Sequence, residues 1–103
     1  MSTLRAMPRL SDDDVRMALQ DLPGWVLEEG SIRKEFTFKG FRAAIAFIDR
    51  VADEAHEARH HPEILNTYNR VVMTLTTHDE GGVTEKDLAL ARAIESVAGP
   101  PEV

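Results

Sequence analysis

The run from Val71 to His78 constrains the fold most strongly, because its side chains alternate between a more apolar and a more polar set. Successive side chains of a β-strand point to opposite faces of the sheet. The alternation therefore predicts a half-buried strand whose apolar face packs against helices, with His78 projecting from the opposite face at the strand's end. The predicted inward set is Val71, Met73, Leu75 and Thr77.

Three shorter strands are predicted around this one. Trp25–Glu28 and the alternating apolar residues of 32–38 indicate a hairpin that turns at Gly30-Ser31. Ile64–Tyr68 precedes a plausible turn at Asn69-Arg70. Because the links within each pair are short, both pairs are expected to be antiparallel hairpins.

Two helices are predicted from their start and stop signals. Ser11 precedes three aspartates, as expected for a serine cap followed by an acidic first turn, and the helix should run to about Leu19. Thr84 is a cap for the last helix, which Gly99 and two prolines stop.

The longest helix is predicted to begin at Gly40 and to fray near His60, because Pro62 disfavours helical geometry at the residue before it. Its apolar residues recur at the three-to-four spacing of a buried stripe. Phe47 is expected to flank this stripe, which comprises Phe41, Ala44, Ile45, Ile48, Val51, Ala52 and Ala55.

These elements predict an α+β fold in the order α-β-β-α-β-β-α. The expected product is a four-stranded antiparallel sheet with three helices packed on one face. We expect residues 1–10 to form an N-terminal arm and residues 11–99 a single domain.

Length and composition limit the functions that are open to the chain. Its 103 residues suffice for one domain that buries about two thirds of its unfolded surface, so self-association would help. Cysteine is absent, which excludes disulfides and thiolate chemistry and fits a reducing compartment; we expect a cytoplasmic protein. No apolar run would span a membrane, no signal-peptide core is present, and the net charge of −6 argues against a nucleic-acid partner.

His56-Glu57-Ala58-Arg59-His60 matches the H-E-x-x-H motif, in which two histidines on a helix bind zinc. The context is poor, because the helix is expected to end at the second histidine and Glu63 and Asn66 depart from the extended metzincin pattern. We therefore predict no metal site, and the simpler interpretation of His56 is a polar residue on the last helical turn.

Three other histidine positions and one aspartate are the candidate chemical groups: His60, His61, His78 and Asp87. Each has a simple structural explanation when taken alone, such as a cation at a helix C-terminus or an acid in a first helical turn. Histidine, however, exchanges protons near neutral pH. If the fold gathers the three imidazoles, proton-transfer chemistry becomes the better interpretation.

The joint pattern resembles the pterin-4a-carbinolamine dehydratase family. The resemblance covers about Ser11 to Val97 and is carried by His60-His61-Pro62-Glu63, Asn66, Tyr68-Asn69, Thr74-Leu75, Thr76-Thr77-His78 and Gly82-Val83-Thr84-Glu85-Lys86-Asp87. Gly24-Trp25 and Phe36-Thr37-Phe38 also resemble the family's first half.

The resemblance implies an enzyme that dehydrates 4a-hydroxytetrahydropterin to quinonoid dihydropterin and water, in tetrahydropterin recycling after an aromatic amino acid hydroxylase. It implies no cofactor and a homodimer or homotetramer. Members of the family also act as interaction or assembly factors, which is the alternative function. Metal analysis would test the third possibility, a zinc site at His56 and His60.

The resemblance also implies roles for individual residues. The catalytic set would be His60, His61, His78 and Asp87, with His61 and His78 as the acid/base pair and Asp87 orienting. The substrate would contact His60, His61, Thr76, Thr77, His78 and Asp79. The chain departs from the family's pattern at His56, Arg59 and Glu80, where glutamate, an acidic or polar residue, and cysteine are common.

Overall fold

The computed structural model describes residues 8–99, in which three helices cover one face of a four-stranded antiparallel sheet. A short 3-10 turn follows the first helix, at Leu19–Asp21, and another follows the last strand, at His78–Glu80. The elements are α1 (Asp12–Ala18), β1 (Val26–Glu28), β2 (Ser31–Thr37), α2 (Phe41–Ala58), β3 (Glu63–Thr67), β4 (Arg70–Leu75) and α3 (Glu85–Ala98). The predicted fold class is confirmed.

The strands lie in the order β1-β2-β4-β3, so each hairpin contributes one central and one edge strand. In the central pair, Phe36 faces Val71 and Ile32 faces Leu75. The alternation in β4 is confirmed, since Val71, Met73 and Leu75 are fully buried. In the described part of the chain, no helix combines the length and hydrophobicity that a membrane crossing requires.

Both hairpin turns lie one residue earlier than predicted. The first turn is Glu29-Gly30, where both residues have the positive φ that a type I′ turn requires (51° and 78°). The second is Tyr68-Asn69, with Tyr68 at φ 54°. Asn66 closes it, because its Nδ2 donates to the carbonyls of Tyr68 and Arg70.

Phe47 lies at the centre of the core, which corrects the predicted stripe of α2. Its ring packs at a tilt against those of Phe36 and Phe38, with both centroid distances 4.9 Å. The buried residues of α2 are Ala44, Phe47, Val51 and Ala55, whereas Phe41 is half exposed and Ala52 exposed. The helix is rotated because burying the Phe47 ring against two aromatic residues of the sheet stabilises more than burying Phe41 and Ala52.

The first hairpin is fastened to the C-terminal half of α3 by Glu95. Its Oε2 accepts hydrogen bonds from Trp25 Nε1 at 2.9 Å and from Lys34 Nζ at 2.5 Å. Lys34 Nζ also donates to the Pro23 carbonyl and lies 4.8 Å from the centre of the Phe36 ring. The network fixes the buried Trp25 side chain, so it joins sheet and helix far from the histidines.

Residues 8–10 lead into α1 beside the loop that precedes α3. The Leu10 amide donates to the Val83 carbonyl at 2.8 Å, and the Leu10 side chain packs against the core. Residues 1–7 of the predicted arm lie outside the described residues, so the boundary between arm and domain stays a prediction.

Candidate active site

His60 and His61 lie just after the C-terminal end of α2. The helix closes with two hydrogen bonds, from Arg59 N to the His56 carbonyl and from His60 N to the Ala55 carbonyl, which together form a Schellman motif. Arg59 adopts the left-handed conformation (φ 55°, ψ 39°) that such an ending needs. The reversal turns His60 and His61 away from the helix axis.

Asp87 holds the first of these histidines from behind. Its carboxylate is completely buried, in the first turn of α3. Oδ1 lies 2.5 Å from His60 Nε2, while Oδ2 accepts from Thr77 Oγ1 at 2.8 Å and from Thr84 N at 3.0 Å. Burial of a carboxyl group is tolerated only when its oxygens find such partners.

Thr77 and Thr84 extend this arrangement into a chain of hydroxyl groups. Their Oγ1 atoms lie 2.8 Å apart. Because Thr77 has one hydroxyl proton and gives it to Asp87, Thr84 must be the donor in this pair. Thr84 Oγ1 in turn accepts from Lys86 N, and the capping box of α3 is thereby part of the site.

The loop that follows β4 is closed on itself. Thr77 N donates to the Gly82 carbonyl at 2.9 Å, and Gly82 N donates to the Thr77 carbonyl at 3.3 Å. The loop is tight against the chain before α1, because a Cβ on Gly82 would lie 2.6 Å from Arg9 Nε. The strand ends at Leu75, so His78 is positioned by the 3-10 turn and not by the outer face of the strand as expected.

One cleft of about 320 Å³ lies where α2 ends, β4 ends and α3 begins. It contains every residue that the sequence predicts to contact a substrate, together with two that the sequence analysis missed, Arg59 and Lys86. The cleft is lined by Arg59, His60, His61, Thr76, Thr77, His78, Asp79 and Lys86. The structure thus brings the three imidazoles together, and Asp87 supports the cleft from behind without lining it.

The imidazoles differ in their surroundings. The His60 side chain is only 12% exposed and is bonded to Asp87, whereas His61 and His78 are exposed at the cleft rim. Thr76 is fixed from the other side, since its hydroxyl donates to the Gly30 carbonyl at 2.8 Å. One histidine is therefore held rigidly, and two are accessible to solvent and to a ligand.

The geometry required by H-E-x-x-H is not present. The motif needs both histidines on one helix face, but α2 ends at Ala58 and His60 Nε2 is directed to Asp87. Among residues 8–99, no cluster of three or more His, Cys, Asp or Glu side chains could hold a metal ion.

The comparisons with known proteins agree on one family. The family model described as pterin 4 alpha carbinolamine dehydratase matches residues 8–97. A protein of Thermomicrobium roseum, provisionally named pterin-4-alpha-carbinolamine dehydratase, is 49% identical over 92 residues, which cover 89% of this chain and 99% of the relative.

Two solved structures share the fold. One, from Brucella melitensis, is described as a transcriptional coactivator/pterin dehydratase; it has a TM-score of 0.83 and 43% identity, over 88% of this chain and 99% of the other. The second is described as a pterin dehydratase-like protein that is a RuBisCO assembly factor in the alpha-carboxysome. It has a TM-score of 0.61 and 25% identity, over 73% of this chain and 87% of the other.

Proposed function

Because this chain belongs to the pterin 4 alpha carbinolamine dehydratase family, we propose that it dehydrates 4a-hydroxytetrahydropterin to quinonoid dihydropterin and water. The observation that carries the proposal is the convergence of three imidazoles on one cleft. Family membership supports the dehydratase activity, and the geometry supports a particular assignment of residues.

The reaction requires one proton to be supplied and one to be removed. The C4a–O bond breaks as the hydroxyl group is protonated and leaves as water, while N5 loses its proton and the C4a=N5 double bond forms. His61 and His78 are proposed for these two transfers, since both imidazoles are exposed to the cleft. Each transfer of this kind contributes about 10²–10⁴-fold to the rate.

His60 is proposed to bind and polarise the pterin with a ring of fixed orientation. If Asp87 is ionised, its oxygens can only accept, so Nε2 of His60 is the donor in their contact. In neutral His60 the proton would then be on Nε2, which leaves Nδ1 as an acceptor. Asp87 acts through His60 and is a positioning residue.

Thr76, Thr77 and Asp79 are proposed to contact the edge of the pterin ring, because they line the same cleft at the end of β4. A cleft of about 320 Å³ is at the small end of the range of about 300–1,000 Å³ for ligand pockets, which suits a bicyclic ring. The proposed elimination transfers protons and no net electrons, so it requires no redox cofactor.

A direct assay of 4a-carbinolamine dehydration tests the proposal. We expect His61→Ala and His78→Ala each to lower kcat by about 10²-fold or more. His56→Ala is the matched control, because His56 is an exposed histidine on α2 outside the cleft. Circular dichroism should show that all three variants are folded. Full activity of both cleft variants would refute the assigned roles.

An assembly factor is the alternative function, and the relative with the RuBisCO assembly role is the observation that favours it. Exposed apolar side chains on the second hairpin, Leu65 at 60% and Tyr68 at 66%, offer a surface for a partner. A stable complex with another protein, together with no measurable dehydration by the native chain, would favour this alternative.

The same hairpin supports a proposed homodimer or homotetramer, since β3 is an edge strand with a free row of backbone groups. Sedimentation equilibrium would distinguish a monomer from either state. A cytoplasmic location is likewise a proposal, and cell fractionation with an antibody would test it.

A further inference from the structure

Two cations in the cleft have no part in the proposed reaction. Arg59 follows the last turn of α2 and Lys86 lies in the first turn of α3, so different elements bring them to the same cleft. Both residues are exposed. Within residues 8–99 neither side chain forms an ion pair, although several other exposed cations do. Both charged groups are therefore available to a ligand.

Arg59 is also a non-glycine residue with a positive φ. Its left-handed conformation is one that glycine or asparagine adopts with little strain and that arginine adopts at a cost. The only other non-glycine residues of the described chain with positive φ, Glu29 and Tyr68, lie in the two hairpin turns. The Schellman ending of α2 requires this conformation, and of the three residues only Arg59 lines the cleft.

The charge of the cleft also differs from that of the protein. The exposed charges of the lining are the cations Arg59 and Lys86 and the carboxylate of Asp79, while buried Asp87 lies behind the lining against His60. The surface of the cleft therefore carries more positive than negative charge in a chain of net charge −6, which favours anionic ligands. The proposed bicyclic ring would fill much of this small cleft, so a substituent on the ring would come within reach of its exposed lining, to which both cations belong.

We propose that Arg59 and Lys86 select pterins whose 6-substituent carries an anionic group, a phosphate or a carboxylate. The inference rests on the proposed function, because it takes the pterin ring as the occupant of the cleft. The guanidinium would donate two hydrogen bonds from its planar fork to two oxygens of the anion, and the ammonium would act as a second point charge.

Binding of oxidised, unreactive pterins tests the selection without turnover. The probes are neutral 6-hydroxymethylpterin, its phosphate monoester and 6-carboxypterin, titrated by their fluorescence at low ionic strength. We expect at least one anionic probe to bind the native protein about tenfold more tightly than the neutral one, as two exposed ion pairs of about threefold each would give. The tighter of the two anionic probes identifies phosphate or carboxylate as the group selected.

Variants locate the source of the preference. Arg59→Gln and Lys86→Gln should each reduce the ratio of affinities by about threefold, and the double variant should bring it near one. Arg42→Gln is the control, because Arg42 is an exposed arginine that lines a separate depression on α2. It should keep the native ratio. High salt should weaken the preference of the native protein.

The inference is overturned if the native protein binds neutral and anionic probes equally or binds none of them, or if the double variant keeps the preference. The dehydration assay separates it from the proposed function. Selective binding without any turnover of a 4a-hydroxytetrahydropterin would refute the dehydratase alone, whereas turnover without selectivity would refute the anion preference alone.

Discussion

The two ends of α3 each use a carboxylate to join the helix to distant parts of the chain. Near the N-terminal end, completely buried Asp87 binds an imidazole, a hydroxyl and a backbone amide. Near the C-terminal end, partly exposed Glu95 binds the indole of Trp25 and the ammonium of Lys34.

The partners explain why one end is a candidate active site and the other is not. The partners of Glu95 fix the first hairpin against the helix, and neither lines the cleft of the histidines. The partner of Asp87 is a histidine that lines this cleft beside two more. A carboxylate that joins distant elements is therefore not by itself evidence of function; a partner that can exchange protons, in contact with open space, is the informative feature.

Among changes to the two ends of α3, the largest effect is expected from Asp87→Asn. It replaces one acceptor oxygen by an NH2 donor. In one orientation this donor would face the Thr77 hydroxyl and the Thr84 amide, and in the other it would face the His60 ring. We expect the free energy of unfolding to fall by about 2–3 kcal/mol. We also expect kcat to fall by about 10–100-fold, as for partners that orient metal-bound imidazoles.

Urea unfolding measures the first change and a stopped-flow dehydration assay the second. Nitrogen NMR of the His60 ring provides a readout that a purely structural role would not alter, because the variant should change which ring nitrogen carries the proton. An unaltered ring spectrum together with native kcat would remove Asp87 from the site.

Glu95→Gln should have a smaller effect, confined to stability. Loss of the charge weakens the hydrogen bonds from Lys34 and Trp25, and we expect a loss of about 1–2 kcal/mol in the free energy of unfolding. The kcat should remain native, since the network lies outside the cleft. Glu57→Gln on the exposed surface of α2 is the matched control and should change neither quantity. A fall in kcat with Glu95→Gln would contradict the distinction between the two ends.

Thr84→Ala should have the smallest effect. It removes the cap of α3 and the donor to Thr77, and a lost cap costs about 1 kcal/mol. Thr84→Ser retains the hydroxyl group and should keep most of this stability in thermal unfolding. Since Asp87 still contacts His60 in both variants, kcat should fall less than in Asp87→Asn. An equal fall would indicate that the hydroxyl chain orients His60 as much as the carboxylate does.

Much of the fold could be predicted because its signals are local. The alternation of β4 and the caps at Ser11 and Thr84 need only neighbouring residues, and all three are confirmed. The position of Phe47 could not be predicted in this way. Its burial depends on the rings of Phe36 and Phe38, which come from another element.

In the candidate site, too, contacts between distant elements could not be predicted from local patterns. The resemblance named the residues that line the cleft, but Asp87 could equally have been an exposed acid in a first helical turn. Its contact with His60 joins positions 27 residues apart, which no local pattern reveals. Arg59 and Lys86 were named in the pattern but not expected in the cleft, because an exposed cation usually faces solvent; their adjacency to His60 and Asp87 was a usable signal.

The contact between Leu10 and Val83 has a practical consequence for anyone preparing this protein. It holds residues 8–10 beside the loop that carries His78, with Arg9 lying against Gly82. A bulky group joined directly to Pro8 would thus lie close to a loop that lines the cleft. Ala98 lies eleven residues beyond Asp87, about 16 Å along α3, so a group joined at that end of the helix would be farther from the histidines.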